Sequence, residues 1–184
     1  QAYNSSRALA GLYRASAAAA GWVIVAADPE PGVSQDDDLL SLRYALDAAA
    51  LAALKTRWRN ADKPLLAFAG FSGGAKYAGW LAALFRGQGA RVGGVYMAGV
   101  NQDALGDAAR KFGVLDASFR HLPVFLQGGL KDEVATPAQH RRVQAELRDA
   151  GFKQVRLEFV PGDHAVDTSL LQGALEWFAA SDSR

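Results

Sequence analysis

One serine lies among glycines in the stretch Gly70–Gly74 (GFSGG), directly after the apolar run Leu65–Ala69. A serine hydroxyl is a poor nucleophile until a base takes its proton, so Ser72 would need a partner elsewhere in the chain. Small neighbours permit a sharp bend that leaves the hydroxyl exposed, and an ordinary glycine-rich turn fits the same letters. With 19 glycines in 184 residues, the motif is weak by itself.

An acid and a histidine follow two later strand-like runs. Asp132 comes after the apolar run Val124–Gln127, and His164 comes after the alternating run Val155–Phe159. A neutral imidazole can take the serine proton and pass it to a leaving group, while a carboxylate behind the ring fixes its tautomer. Each residue alone fits a turn or a cap. Together, in the order Ser, Asp, His, they predict acyl transfer with Ser72 as the nucleophile.

The strand candidates explain how distant residues would meet. Five runs have strand character: Trp22–Ala26, Leu65–Ala69, Val92–Ala98, Val124–Gln127 and Val155–Phe159. Apolar residues at helical spacing fill the intervals, so the pattern predicts an α/β fold, with a mostly parallel sheet and helices on both faces. The carboxyl ends of parallel strands lie at one edge of the sheet, where catalytic residues gather.

Helix starts can be read at two further places. The acidic run Asp36–Asp38 precedes the periodic segment that begins at Leu39, and acidic groups favour a helix N-terminus. Thr136 and Pro137 fit the cap and the first position of a helix that runs to Gly151.

The remaining acids and histidines fit catalysis less well. Asp163 would point elsewhere from the tight loop of His164, and Asp167 fits a helix start. Asp28 follows the first strand candidate. His121 precedes a strand and therefore lies at the wrong edge, and His140 stands beside two arginines on a helix, where we expect a surface residue.

Composition excludes several classes of protein. The chain has no cysteine, which removes disulfides, thiolate metal sites and cysteine nucleophiles. A net charge of +1 with dispersed charges argues against a nucleic-acid partner. No apolar run reaches the ~18 residues of a membrane span. Ala15–Ala27 imitates a signal peptide, but Gly21 divides it into a helical part and a strand-like part. We expect no cofactor and no metal.

The chain resembles the α/β-hydrolase superfamily from about Arg7 to Phe178. Gly70–Gly74 resembles its nucleophile elbow, Gly129–Val134 its acid loop and Gly162–His164 its histidine loop. The small esterases of the polyhydroxybutyrate-depolymerase-like and dienelactone-hydrolase-like groups are the nearest in character.

By this resemblance Ser72 is the nucleophile, Asp132 the acid and His164 the base, and the Gly73 N–H is one oxyanion donor. Phe71 and Asn101 are the residues that we expect to face the substrate, although a turn role also fits Asn101.

The chain departs from the family at its start. The five strand candidates match the family's last five strands, and the first three have no counterpart. We therefore expect residues 1–184 to form a single α/β-hydrolase-like domain that is N-terminally incomplete, with a gap or a new pairing in the sheet. Either a missing segment or a second chain would complete the sheet, or the chain is a minimal version. Only Gln1–Ser5 would remain of the loop that supplies the second oxyanion N–H.

The resulting expectation is a serine hydrolase that cleaves a small-molecule carboxylic ester through an acyl-enzyme. The same triad would also suit a peptidase or a thioesterase. Loss of one oxyanion donor lowers turnover ~10²–10³-fold, so a weak or inactive protein of this fold that binds a ligand or partner is the other hypothesis. The connection Val100–Leu122 is too short for a separate lid domain. Cytoplasmic and secreted locations both fit.

Overall fold

A computed structural model describes residues 5–26, 28, 39–57 and 63–182. Its helices and strands are α1 (Ser6–Ala19), α2 (Leu39–Arg57), β1 (Leu65–Phe71), α3 (Gly73–Gly87), β2 (Arg91–Ala98), α4 (Ala104–Lys111), β3 (Pro123–Gly129), α5 (Pro137–Asp149), β4 (Gln154–Val160) and α6 (Leu171–Asp182). The predicted helix start at Asp36–Asp38 lies outside the described residues. So does the predicted loop remnant, apart from Ser5, whose hydroxyl caps α1 by accepting from the Ala8 N–H.

The described strands form one parallel sheet in the order β1-β2-β3-β4. Alternate side chains of the central strands enter different layers. Val95 and Leu126 pack with α3, α4 and α5, while Tyr96 and Phe125 pack with α1 and α6. The prediction of a parallel sheet with helices on both faces is confirmed, and all four strands deliver their carboxyl ends to one edge.

The prediction of a strand at Trp22–Ala26 is wrong. This segment has no strand hydrogen bonding, and Val23 is 54% exposed. Strand preference is realised only when a neighbouring strand supplies backbone partners, and within the described residues β1 pairs with β2 alone. The segment therefore does not join the sheet, and β1 forms an edge of the described sheet.

The ends of two helices show how sequence signals become structure. Thr136 and Gln139 form a reciprocal capping box at the start of α5, with Pro137 at its first position, as predicted. At the start of α1, the capping carboxylate comes from Asp28, which is distant in sequence. The Asp28 carboxylate accepts from the Ser6 N–H at 2.6 Å and from the Arg7 N–H at 2.9 Å. Asp28 therefore stabilises the helix N-terminus.

His140 is buried, so its predicted surface position is wrong. Its exposure is 0%, and its Nδ1 lies 3.1 Å from the Thr136 carbonyl oxygen. The reason is helical periodicity, since His140 shares a face with Val143 and Leu147, which are equally buried. The two arginines that follow His140 in the sequence wrongly indicated a surface position for it.

Within the described ranges, no helix is both long and apolar enough to cross a membrane.

Candidate active site

Ser72 occupies the bend between β1 and α3. Its φ of 54° makes it the one non-glycine residue with a positive φ among those described, and its N–H donates to the Ala98 carbonyl at 2.8 Å. A Cβ on Gly70 would lie 2.1 Å from the Gly74 carbonyl oxygen. The strand and the helix therefore meet backbone to backbone, which forces the turn at Ser72 to be sharp.

The structure brings Ser72, His164 and Asp132 into one hydrogen-bonded chain. The Ser72 Oγ lies 2.9 Å from His164 Nε2, and His164 Nδ1 lies 2.8 Å from Asp132 Oδ2. An ionised carboxylate only accepts, so the ring proton resides on Nδ1, and Nε2 is left to accept from the serine hydroxyl. The His164 side chain is 20% exposed and that of Asp132 is 1% exposed. The imidazole thus stands between a covered acid and an accessible serine.

The loop after β3 holds Asp132 ionised. Its Oδ1 accepts from the Val134 N–H at 2.8 Å and from the Ala135 N–H at 2.7 Å. Burial acts to raise the pKa of Asp132, but these hydrogen bonds and the contact with His164 outweigh it, so the pKa lies below its ordinary value. At neutral pH the carboxylate is therefore negative and able to stabilise an imidazolium.

Two glycines, whose packing role the sequence did not reveal, let the chain pack closely around His164 and its loop. Gly99 has a φ of 61°, and a Cβ there would lie 2.8 Å from Phe71 Cε2 and 3.1 Å from His164 Cε1. A Cβ on Gly129 would lie 2.5 Å from the Asp163 carbonyl oxygen. Both glycines follow or end a strand at the same edge as Ser72, which is the signal that could have identified them.

The predicted oxyanion donor and substrate contacts lie near the serine. Gly73 is exposed and begins α3, where the first N–H groups of a helix have no intrahelical acceptor. The Phe71 ring packs on the imidazole, with centroids 4.8 Å apart. Asn101 reaches the acid loop instead, because its side-chain amide donates to the Val134 carbonyl at 3.3 Å.

Asp163, Asp167 and His121 lie where the sequence indicated, whereas Asp28 binds the start of α1 instead of ending a strand. Asp163 is exposed, and Asp167 accepts from the Ser169 N–H at 2.8 Å in the turn before α6. His121 precedes β3, at the opposite edge of the sheet from Ser72. Among the residues that the structure describes, no group of three or more His, Asp or Glu side chains is placed to hold a metal ion.

Comparison with known proteins gives similarity in structure alone. No protein-family model matches the sequence, and no curated protein matches it. The Bacillus cereus carboxylesterase superposes with a TM-score of 0.53 at 18% identity, over 82% of this chain and 65% of that chain. The protein DphMB1 superposes with a TM-score of 0.66 at 17% identity, over 97% of this chain and 73% of that chain.

A third similar structure is a cold-adapted esterase from an Arctic intertidal metagenomic library. Its TM-score is 0.52 at 20% identity, over 76% of this chain and 59% of that chain. This chain therefore spans less than two thirds of the length of either esterase. At identities this low, the superpositions give information about the fold and none about the substrate. Together with the parallel sheet and its covering helices, these superpositions show that the chain has the α/β-hydrolase fold.

Proposed function

We propose that this protein is a serine hydrolase that cleaves a carboxylic ester through an acyl-enzyme intermediate. The observation that supports the proposal most directly is the unbroken chain from Ser72 Oγ through the His164 ring to Asp132. In addition, Ser72 lies on a strained bend beside the free amides of a helix N-terminus. The similar structures that are named esterases share this fold.

In the first half of the reaction, Ser72 Oγ attacks the ester carbonyl carbon while its proton moves to His164 Nε2. The carbonyl oxygen becomes negative and is stabilised by the Gly73 N–H and the positive end of α3. When the carbon–oxygen bond to the alcohol breaks, the imidazolium returns the proton to that oxygen. The alcohol leaves, and Ser72 carries the acyl group.

In the second half, a water molecule takes the place of the alcohol. His164 Nε2 removes one of its protons as the oxygen attacks the acyl carbonyl carbon. The bond between that carbon and Ser72 Oγ then breaks, the imidazolium gives the proton to Oγ, and the carboxylic acid leaves. Asp132 stays ionised through both halves, because its pKa is held below its ordinary value. No step needs a metal or a cofactor.

The proposal includes one domain without a separate lid, in which Phe71 forms a wall beside the imidazole. A substrate contact from Asn101 stays a prediction. So does completion of the sheet by a preceding segment or a second chain. It would give β1, which pairs with β2 alone among the described strands, a second neighbour.

Labelling with a fluorophosphonate tests the nucleophile. The probe should modify Ser72, and Ser72→Ala should abolish both labelling and hydrolysis of a short p-nitrophenyl ester. Ser118→Ala is the matched control, since this exposed serine lies before β3 at the other edge of the sheet. Labelling that survives Ser72→Ala, or is lost in Ser118→Ala, would contradict the proposal.

Rates on matched ester, thioester and anilide substrates separate the related activities. The proposal expects the ester to react fastest. A faster thioester or anilide would reassign the same triad to a thioesterase or a peptidase. If the wild-type protein neither reacts with the probe nor turns over any of the three, yet binds an ester analogue saturably, the alternative of a binding protein with the same fold replaces it.

A further inference from the structure

We propose that Gln127 is a positioning residue for His164, acting through the backbone of the loop that carries the imidazole. Gln127 belongs to β3, and its side-chain hydrogen bonds go to Asp167 and Tyr96 rather than to Ser72, His164 or Asp132. The inference rests on the proposed function, because a position for His164 matters to turnover only if His164 is the base.

The environment of Gln127 requires an explanation. Its side chain lies in the layer of Tyr96 and Phe125, and the residue is only 3% exposed. A buried amide costs free energy unless both its donor and its acceptor are paired. Here both are paired, since Nε2 donates to the Asp167 carbonyl at 2.9 Å and Oε1 accepts from the Tyr96 hydroxyl.

The partners allow one orientation of the amide. The Asp167 carbonyl oxygen can only accept, so the NH₂ group must face it and the oxygen Oε1 must face Tyr96. Burial raises the pKa of Tyr96 above its ordinary value, so the hydroxyl keeps its proton and donates it to Oε1. Tyr96 therefore orients Gln127, and Gln127 presents its NH₂ group to the histidine loop.

The loop from Pro161 to Leu170 has no regular structure, so its anchors decide where His164 lies. Before the histidine, the Gly162 carbonyl accepts from the Lys131 N–H at 2.7 Å. After it, the Asp167 carbonyl is held by Gln127 at 2.9 Å. The imidazole must meet Ser72 and Asp132 at hydrogen-bonding distance at the same time. Release of the second anchor would leave the four residues from His164 to Asp167 freer to shift.

The test compares two substitutions in the same layer. Gln127→Met keeps the size of the side chain and removes both hydrogen bonds. We expect kcat for a p-nitrophenyl ester to fall about 10- to 100-fold while KM changes less than about threefold, the pattern of a displaced base. Phe125→Leu removes the ring that stacks on Tyr96, with centroids 5.7 Å apart, but leaves both hydrogen-bonding partners of Gln127 in place. Its kcat should therefore stay within about twofold of the wild type.

A spectroscopic readout separates positioning from stability. The proton NMR signal of His164 Nδ1–H, which reports the bond to Asp132, should shift or broaden in Gln127→Met and stay unchanged in Phe125→Leu. If Gln127→Met does not fold, Tyr96→Phe takes its place. This variant keeps the hydrogen bond from Gln127 to the Asp167 carbonyl but removes the Tyr96 hydroxyl that orients the amide. It should lower kcat about 3- to 10-fold.

Three results would overturn the inference: an unchanged kcat in Gln127→Met, an equal loss in Phe125→Leu, or an unmoved His164 signal in the Gln127 variant. If Tyr96→Phe is used instead, an unchanged kcat in that variant would also overturn the inference. The proposed function fails separately, when the wild-type protein shows no turnover that depends on Ser72. In that case the NMR comparison alone still decides whether Gln127 positions the ring.

Discussion

Substitution of Gly99 tests whether backbone packing sets the position of the imidazole. Gly99 follows β2 with a φ of 61°, and a Cβ there would lie 2.8 Å from Phe71 Cε2 and 3.1 Å from His164 Cε1. Gly99→Ala should therefore have two separable effects. One is a loss of stability from the backbone conformation, and the other is a loss of activity from the contact with the two rings.

The loss of stability and the loss of activity in Gly99→Ala have different physical causes. A left-handed conformation costs an alanine about 1–2 kcal/mol, and the stiffer unfolded chain returns about 0.4–1 kcal/mol, which leaves a net loss near 1 kcal/mol. For the activity, the Phe71 ring and the imidazole must retreat from the new methyl group. At 3.1 Å the imidazole must shift by a few tenths of an ångström. Since a displacement of 1 Å at a catalytic group can lower kcat about 10²-fold, we expect this smaller shift to lower kcat about 3- to 10-fold.

Gly113→Ala is the matched control. Its φ is 65°, yet a Cβ there would meet no atom within 4 Å. Urea denaturation should show similar losses of unfolding free energy in both variants, and kcat for a p-nitrophenyl ester should fall only in Gly99→Ala. If Gly99→Ala keeps the wild-type kcat, or if Gly113→Ala loses as much, the reasoning from the contact at His164 is refuted.

Two further predictions concern stability. Gly70→Ala would place a Cβ 2.1 Å from the Gly74 carbonyl oxygen, so it should cost at least about 3 kcal/mol in urea denaturation. Gly74→Ala meets no atom within 4 Å and should be neutral or stabilising; equal losses in the two variants would contradict the close approach. Burial raises the pKa of Asp103 to about 6, so the folded state holds the proton more tightly and stability should fall as pH rises from about 4 to about 6. Asp103→Asn can still cap Gly106, and it should remove that fall and add up to about 3 kcal/mol at neutral pH; an unchanged slope of stability against pH would refute this.

The residues of the candidate site could be predicted because the sequence fixes where each strand ends. Ser72, Asp132 and His164 lie in loops that follow β1, β3 and β4, and a parallel sheet brings those loops to one edge. Local rules were enough for Thr136, whose cap depends only on residues within one helical turn. The proximity of these loops follows from the parallel sheet alone, so it could be predicted without knowing how side chains pack.

The segment Trp22–Ala26 shows where sequence reasoning fails. Its Trp-Val-Ile-Val letters have the composition of a buried strand, but a strand is a property of a pair of segments. No local pattern reports whether a partner is present. For the same reason, the apolar side chains of Val23, Ile24 and Val25 are exposed although hydrophobicity predicts burial. His140 is the reverse case, since a polar residue is buried by the apolar face it shares.

The positions that hold His164 could not be read from residue type, because what matters in each is a neighbour distant in sequence. Gly99 is near Phe71 and His164, Gly129 is near the backbone of Asp163, and Gln127 bonds the Asp167 carbonyl. Gly113 lacks these neighbours but has a φ similar to that of Gly99, so residue type and backbone angle do not distinguish the two positions.

The three positions act on different parts of one loop. Gly99 sets how closely the ring approaches β2, Gly129 sets how closely the start of the loop approaches β3, and Gln127 holds the end of the loop. Two of these restraints depend on the absence of a side chain and one on a single amide, so none is visible in composition or periodicity. The imidazole is thus positioned by the ends of β2 and β3, while β1 positions the serine that it serves. Relative movement between these strands would separate the two groups, and the continuous β1–β2–β3 pairing resists that movement.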